Sequence, residues 1–203
     1  MLAILRRNAI KEQLNAQKSV TITELAEKFK VTKETIRRDL RVMQDNGELM
    51  RTHGGAYILD GVQNMIDISM RRVIKTDAKK DMARKCMELI KPSDSIFLDG
   101  STSAWFIAQQ IHNMSLTVVT ISLKIADILS DAPSINLVLI GGSFSQKTLS
   151  FAGEKTCQAL SQYYMDKAFV SCRSVSLEHG VTDSNDSDAA LHRLALQHSS
   201  LKY

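Results

Sequence analysis

The sequence has few cysteines and no long apolar segment. Cys86, Cys157 and Cys172 are far apart and form no CxxC pair, so neither a disulfide framework nor a zinc site is expected. No run of about 18 apolar residues occurs, which argues against a membrane-spanning helix. A secretory signal has its basic residues before a long apolar stretch, whereas Arg6 and Arg7 come after a short one. We therefore expect a cytoplasmic protein with reduced thiols.

Most of the 203-residue chain also lacks a charge excess. Residues 58–203 contain 15 Lys and Arg against 15 Asp and Glu, whereas residues 1–57 contain 11 against 7. The whole net charge of +4 therefore lies in the first quarter. This asymmetry indicates a polyanionic partner for that quarter, although so small an excess also arises by chance. The apolar share of 44% suffices for packed cores in one large or two small domains.

The basic quarter begins with two segments of helical pattern. The apolar residues near one face of the first are Ile4, Leu5, Ile10 and Leu14. In the second, Thr21 and Glu24 have the spacing of a capping box, in which each side chain satisfies a backbone donor of the other residue. Val20 and Leu25 occupy the flanking positions of a hydrophobic staple. A short second helix is therefore predicted to start at about Ile22.

A third helix is predicted after a tight turn. Thr32 is a suitable N-cap, and the Asn46-Gly47 pair marks the end of the helix. At about 100° per residue, one arc faces the core. Its residues are Ile36, Leu40 and Met43. The residues on or beside the outward arc are Glu34, Thr35, Arg37, Arg38 and Arg41. These arginines form either a solvated helix face or a surface for a phosphate backbone.

The next segment, "GELMRTHGGAYIL", alternates apolar and polar residues and turns at Gly54-Gly55, which predicts a β-hairpin wing. A short helix, a turn and a longer helix with outward cations are typical of a helix-turn-helix, whose second helix enters the major groove. Arginine suits this surface because its guanidinium binds both guanine edges and phosphates. The candidate DNA-binding residues are Thr32, Lys33, Thr35, Arg37, Arg38, Arg41, Arg51 and His53.

The stretch "ITELAEKFKVTKETIRRDLRVMQDNGELMRTHGGA" resembles the DNA-binding domain of the DeoR family of bacterial transcriptional regulators. Its T-I-R-R-D-L core and closing R-T-H-G-G-A are specific to that family, and the resemblance covers residues 3–58. Thr32 stands where the family usually has Ser, which preserves the cap. The resemblance implies a winged helix-turn-helix that binds double-stranded operator DNA, usually as a repressor.

After a linker predicted at residues 59–75, residues 76–203 alternate helices and strands. A helix is predicted over residues 77–90, with an inner side formed by Met82, Ala83, Cys86, Leu89 and Ile90. Strands are predicted over residues 95–98, 116–120, 135–140 and 167–171. This alternation predicts an α/β fold with a parallel sheet. Ligands of such sheets bind outside the carboxyl ends of the strands.

Three predicted strand ends contain small hydroxyl residues or glycines. Ser101, Thr102 and Ser103 precede or open one helix, and Thr120 and Ser122 precede the next. Amides and hydroxyls at a helix N-terminus favour an anion. The third end is the pair Gly141 and Gly142, where a backbone can approach a ligand closely. Each feature alone is more often a cap or a turn. Together at one sheet edge they favour a phosphate-bearing ligand.

The C-terminal part resembles the DeoR sensor domain, which is similar in fold to ribose-5-phosphate isomerase. This resemblance implies a phosphorylated sugar as effector and a homo-oligomer. The implied effector-binding residues are Lys79, Asp99, Gly100, Ser101, Thr102, Ser103, Thr120, Ser122, Gly141, Gly142 and Asp188. Ile121 replaces a usual Asn. The chain also ends before the family's final strand and D-x-S-K motif, so we expect a sensor domain that is incomplete at its C-terminus. Such a domain is expected either to have reduced stability or to compensate by dimerisation.

Two alternative functions remain open. A sugar-phosphate isomerase would need a base and an electrophile, for which Asp99, Asp188 and Lys79 are the available residues. The five histidines form no evident set, no HxxxH or HExxH spacing occurs, and an isomerase has no use for a DNA-binding domain. Neither an enzyme nor a metal or other cofactor is therefore expected. The other alternative is a DNA-binding protein that responds to no effector, with residues 76–203 serving only for dimerisation.

Overall fold

The structure is a computed structural model that describes residues 2–46, 48–52, 54–58, 68–183 and 185–203. The chain divides into two units, residues 1–75 and 76–203. The predicted wing residue His53 and most of the predicted linker lie outside the described residues. Among the described residues, no helix combines the length and the apolar character needed to cross a bilayer.

In the first unit, the described residues up to 58 form three helices and a small antiparallel sheet. Its elements are α1 (Ala3–Gln17), β1 (Ser19–Thr21), α2 (Ile22–Phe29), α3 (Lys33–Asp45), β2 (Met50–Arg51) and β3 (Gly55–Tyr57). The predicted capping box at the start of α2 is confirmed. The Glu24 amide donates to Thr21 Oγ1 at 3.1 Å, and the Thr21 amide donates to Glu24 Oε2 at 3.2 Å. This reciprocal cap fixes where α2 begins.

The wing is a three-stranded sheet in the order β1-β3-β2. The predicted hairpin of β2 and β3 is confirmed, but β1 was not predicted. It pairs with β3 so that Val20 lies opposite Ala56. A side chain at Gly55 would place its Cβ 2.0 Å from the Val20 carbonyl oxygen. Glycine at this position therefore allows β3 to lie against β1.

The core of the first unit is aliphatic. It contains Ile10, Leu14, Val20, Ile22, Leu25, Ala26, Ile36, Leu40, Met43, Leu49 and Ala56. The predicted inward positions of Ile4 and Leu5 are wrong, because their side chains are 62% and 53% exposed. Arg6 is buried instead, one helical turn before Ile10. The inward face of α1 thus begins with a cation.

A further helix, α4 (Ile68–Val73), lies within the range predicted as a linker. The second unit begins with α5 (Thr76–Met87), whose buried residues Ala83 and Cys86 form a narrower inner stripe than predicted. Met82 and Leu89 are more than a third exposed, so their predicted inward positions are wrong.

The second unit is built around a five-stranded sheet. Its elements after α5 are β4 (Ser95–Leu98), α6 (Thr102–Ile111), β5 (Leu116–Thr120), α7 (Leu123–Leu129), β6 (Ile135–Leu139), β7 (Ser143–Ser145), β8 (Ser150–Ala152), α8 (Glu154–Leu160), β9 (Met165–Phe169), β10 (Ser174–Ser176), β11 (Gly180–Thr182), α9 (Asp186–Gln197) and β12 (Ser199–Lys202). The predicted α/β fold with a parallel sheet is confirmed.

The strand order is β12-β9-β4-β5-β6. From β4 the chain moves outward through β5 to β6 and then returns to place β9 on the other side of β4. This reversal makes the boundary between β4 and β9 a topological switch point, where open α/β sheets form a crevice beyond the strand ends. The residues that follow β4 and β9 therefore lie beside this crevice.

A strand that was not predicted, β12, follows α9. β12 pairs in parallel with β9, and the Tyr203 ring stacks on Phe169 with centroids 5.1 Å apart. The hairpins β7-β8 and β10-β11 were also not predicted. Each of these strands has only three or four residues, too few to show a clear alternation in sequence.

Candidate nucleic-acid interface and ligand site

The helix-turn-helix is formed by α2, a short turn and α3. Thr32 caps α3, since its Oγ1 accepts the Thr35 amide at 3.2 Å. The Thr32 and Thr35 hydroxyls are also 2.9 Å apart. The turn before α3 is thus fixed by the side chains that the sequence indicated.

The predicted DNA-binding side chains of α3 lie mainly on its solvent-exposed side. The exposed ones are Thr32, Lys33, Arg37, Arg38 and Arg41. Thr35 on α3 and Arg51 on β2 are half-buried. Arg37 contacts Glu34 one turn earlier, with 3.1 Å between Nη1 and Oε2. Because both partners are largely exposed, this pair is weak and leaves the guanidinium accessible to a polyanion.

The inner side of α3 contains an ion pair that the sequence analysis missed. Arg6 Nε of α1 lies 2.5 Å from Asp39 Oδ2, and both side chains are only 7% exposed. Asp39 lies three residues after Ile36 and one before Leu40, so it faces the core although it is charged. That inward spacing was the available signal. The pair ties α3 to α1 on the side of α3 opposite its exposed arginines.

In the second unit, Asp99 follows β4 and is almost fully buried. Its Oδ1 accepts the Ser101 amide at 3.0 Å. Its Oδ2 accepts the Ser171 amide at 2.7 Å and the Ser171 hydroxyl at 2.9 Å. Ser101 in turn caps α6 by accepting the Ala104 amide at 3.1 Å. Asp99 therefore joins the ends of β4 and β9 at the switch point.

Thr120 and Ser122 lie at the neighbouring strand end and are fully buried. Thr120 Oγ1 donates to the Leu98 carbonyl at 2.7 Å. Ser122 Oγ accepts Trp105 Nε1 at 3.3 Å and the Ile125 amide at 3.3 Å. These hydroxyls hold β4, β5, α6 and α7 together, and their contact with an effector stays a prediction.

Two of the predicted glycines permit close packing at the strand ends. A Cβ at Gly100 would lie 2.3 Å from Ser150 Oγ, and one at Gly142 would lie 1.9 Å from Thr156 Oγ1. Gly142 also has a φ of +152°, whereas Gly141 has open space around it. Their sequence pattern predicted a close approach to a ligand, and the structure shows close approaches to neighbouring side chains.

The remaining predicted effector residues lie around this edge or on other helices. Thr102 is buried and Ser103 half-buried in the first turn of α6. Lys79 is half-buried on α5. Asp188 lies in the first turn of α9, where its amide donates to Asn185 Oδ1 at 2.8 Å. Its carboxylate accepts Asn185 Nδ2 at 2.7 Å, so it belongs to the cap of α9.

His192 of α9 is a residue of the switch point, although the sequence had given its five histidines no evident set. Its Nδ1 lies 2.6 Å from Asp183 Oδ2, and its Nε2 lies 3.7 Å from Asp99 Oδ2. Burial, and then the charges of Asp183 and Asp99, raise the pKa of the nearby Cys172 thiol. Sequence alone had no signal for this group, because its members lie far apart along the chain.

Ile121, which the resemblance implies stands in place of an Asn, is also buried. It packs in a cluster with Phe97, Val119 and Ile140. The side chain at this position thus supports the core and offers no polar atom to the strand-end crevice.

Comparison with known proteins identifies relatives for both units. Residues 6–62 match the DeoR-like helix-turn-helix domain, and residues 74–203 match the DeoR C terminal sensor domain. An uncharacterized HTH-type transcriptional regulator, YulB, of Bacillus subtilis (strain 168) is 36% identical over 98% of this chain and 77% of its own length. A putative aga operon transcriptional repressor of Escherichia coli O157:H7 is 30% identical over 93% of this chain and 71% of its own length. The HTH-type transcriptional repressor GlcR of Bacillus subtilis (strain 168) is 30% identical over 93% of this chain and 73% of its own length.

The sensor-domain match extends to residue 203, so it gives no support to the expectation of an incomplete sensor domain. The resemblance inferred from the T-I-R-R-D-L stretch is confirmed by the helix-turn-helix match. Both matches and the relatives describe transcriptional regulators rather than enzymes. The chain belongs to the DeoR family of DNA-binding transcriptional regulators.

Proposed function

We propose that this regulator represses an operon of carbohydrate metabolism and releases its operator when a phosphorylated sugar binds to residues 76–203. The names of two relatives support repression, since one is called a putative aga operon transcriptional repressor and the other the transcriptional repressor GlcR. The single observation that carries DNA binding is the row of exposed cations on α3, whose opposite side is fixed in the core.

In this proposal residues 3–58 form the DNA-binding domain, and α3 enters the major groove. Arg37, Arg38 and Arg41 contact base edges or phosphates from α3, and Arg51 contacts the backbone from the wing. Two copies joined through residues 76–203 place two α3 helices on repeated half-sites, as the geometry of helix-turn-helix dimers requires. The homo-oligomer is part of this proposal.

The effector site in this proposal is the crevice at the switch point between β4 and β9. The N-terminus of the ten-residue helix α6 lies there and favours an anionic group. The end of β5 and the glycines after β6 extend the same edge of the sheet. A phosphate at α6 and a sugar in the crevice would match a phosphorylated sugar.

The proposal can be tested with DNA selected from random duplexes by the purified chain. Binding of the selected duplex is measured by fluorescence anisotropy alone and with a panel of sugar phosphates and their unphosphorylated parents. At least one phosphorylated sugar should release the DNA while its parent does not. Equal release by the parent sugar would contradict the phosphate requirement.

One observation favours a second function, DNA binding without an effector. The hydroxyls of Thr120 and Ser122 already have partners inside the protein. If no member of the panel changed the affinity for DNA while binding itself remained strong, this second function would replace the first. Residues 76–203 would then serve for dimerisation.

A further inference from the structure

We infer that His192 is a specificity-determining residue of the sensor site and recognises adjacent hydroxyls of the bound sugar together with Asp99. This inference rests on the proposed effector function and adds to it a residue and a ligand feature that the sequence pattern did not indicate. The observation behind it is the group formed by Asp99, Asp183 and His192 at the switch point.

The contact with Asp183 determines the protonation pattern of the imidazole. A carboxylate only accepts hydrogen bonds, so the 2.6 Å contact requires that His192 Nδ1 carries the proton and donates it. In the neutral ring, Nε2 is then an acceptor. Asp183 thereby holds both the tautomer and the orientation of the ring, and acts as a positioning residue.

The Nε2 atom faces a second acceptor instead of a donor. It lies 3.7 Å from Asp99 Oδ2, which is beyond hydrogen-bond distance. Oδ2 accepts two hydrogen bonds from Ser171 and retains capacity for another. With the ring neutral, Nε2 and Oδ2 are two neighbouring acceptors, which are complementary to two neighbouring donors. A pair of adjacent sugar hydroxyls supplies such donors.

The acceptor pair lies at the edge of the sheet where ligands of such folds bind. Asp99 follows β4 and Ser171 follows β9, so the pair lies at the reversal of the strand order, where ligands of such sheets bind. The His192 side chain is 17% exposed, whereas Asp99 is 2% exposed. His192 therefore presents the accessible part of the pair.

The charges of the group also orient the ligand. Asp99 and Asp183 repel a phosphate but not a neutral hydroxyl. The phosphate is therefore expected toward α6 and the ends of β5 and β6, and the hydroxyls toward β9 and α9. This arrangement separates recognition of the phosphate from recognition of the sugar.

The test uses the chain of residues 1–203 and compares pairs of probes that differ by one hydroxyl. The probes are ribose 5-phosphate with 2-deoxyribose 5-phosphate, glucose 6-phosphate with 2-deoxyglucose 6-phosphate, and inorganic phosphate. Calorimetric titration gives the affinity ratio within each pair. A site that hydrogen-bonds a hydroxyl discriminates against the analogue that lacks it, so the wild-type ratio should be about tenfold or more for at least one pair.

The variants are His192→Leu and the matched control His112→Gln, which alters another histidine that contacts an aspartate in the same unit. His192→Leu should reduce the ratio to about one and leave binding of inorganic phosphate unchanged. His112→Gln should retain the wild-type ratio. Asp183→Asn should lower the ratio without abolishing phosphate binding.

Four results would overturn the inference. The first is an unchanged ratio in His192→Leu. The second is an equal loss for every probe including phosphate, with a lowered melting temperature, which would show a purely structural role. The third is that wild type binds none of the probes, which would also contradict the proposed effector function. If wild type bound both members of each pair equally well, only the inference would be overturned and not the proposed effector function.

Discussion

The buried ion pair between α1 and α3 makes the DNA-binding unit sensitive to one substitution. Asp39→Ala removes the carboxylate that contacts Arg6 Nε, while the Arg6 guanidinium stays buried. Losing one member of a buried pair costs about 3 to 5 kcal/mol, because the remaining charge stays desolvated. Since whole domains are stable by only about 5 to 15 kcal/mol, this loss should unfold a measurable fraction of the unit.

The two units can be followed separately during denaturant unfolding. Trp105 is the only tryptophan of the chain and lies in α6, so its fluorescence reports on residues 76–203. Far-UV circular dichroism also includes the helices of residues 1–75. Asp39→Ala should shift the transition seen only by circular dichroism to lower denaturant, while the Trp105 transition stays in place.

An exposed pair in the same helix provides the control. Glu34→Ala removes the partner of Arg37 and should cost no more than about 0.5 kcal/mol. A double change, Arg6→Met with Asp39→Leu, should recover most of the stability because no unpaired charge remains buried. If Asp39→Ala shifted the transition no further than Glu34→Ala, the assigned role of the buried pair would be refuted.

Two further predictions concern residues 76–203. Gly142→Ala should destabilise this unit by about 1 to 3 kcal/mol in denaturant unfolding, because the new Cβ would overlap the Thr156 hydroxyl. The control is Gly141→Ala, which has open space around it and should change stability by less than about 0.5 kcal/mol. The hydrogen bond to Asp131 raises the pKa of His112 in the folded protein. The stabilisation that this bond gives the folded state is therefore complete below the ordinary histidine pKa, and it is lost as the pH rises through the pKa of His112 in the folded state. The melting temperature of wild type should therefore exceed that of His112→Gln more at about pH 5 than at about pH 8.5, and a difference independent of pH would contradict this reasoning.

Local features of the first unit could be predicted from sequence because their causes are local. The Thr21 and Thr32 caps depend on residues three positions apart, and both are present as predicted. The arc of Ile36, Leu40 and Met43 follows from helical periodicity and is buried as predicted. The same periodicity could not show that Arg6 would be buried, because its partner is 33 residues away.

The strand-end residues show a similar division. The strands over residues 95–98 and 116–120 were predicted with their observed bounds, since buried parallel strands are continuous apolar runs. β9 begins two residues earlier than predicted because Met165 and Asp166 do not resemble such a run. Strand order determines which hydroxyls are paired internally and which histidine faces Asp99. The sequence pattern does not specify that order.

The most direct test of the central claim, that the outward face of α3 binds operator DNA, is the affinity of Arg38→Ala for the selected duplex at several salt concentrations. The matched control is Arg84→Ala, which changes another exposed arginine, located on α5. Arg38→Ala should weaken binding by about 1 to 3 kcal/mol. If the arginine contacts a base, specificity should relax at one base pair. If it contacts a phosphate, the affinity should depend less steeply on salt concentration. Arg84→Ala should bind as wild type does. Unchanged affinity, specificity and salt slope in Arg38→Ala would contradict the account.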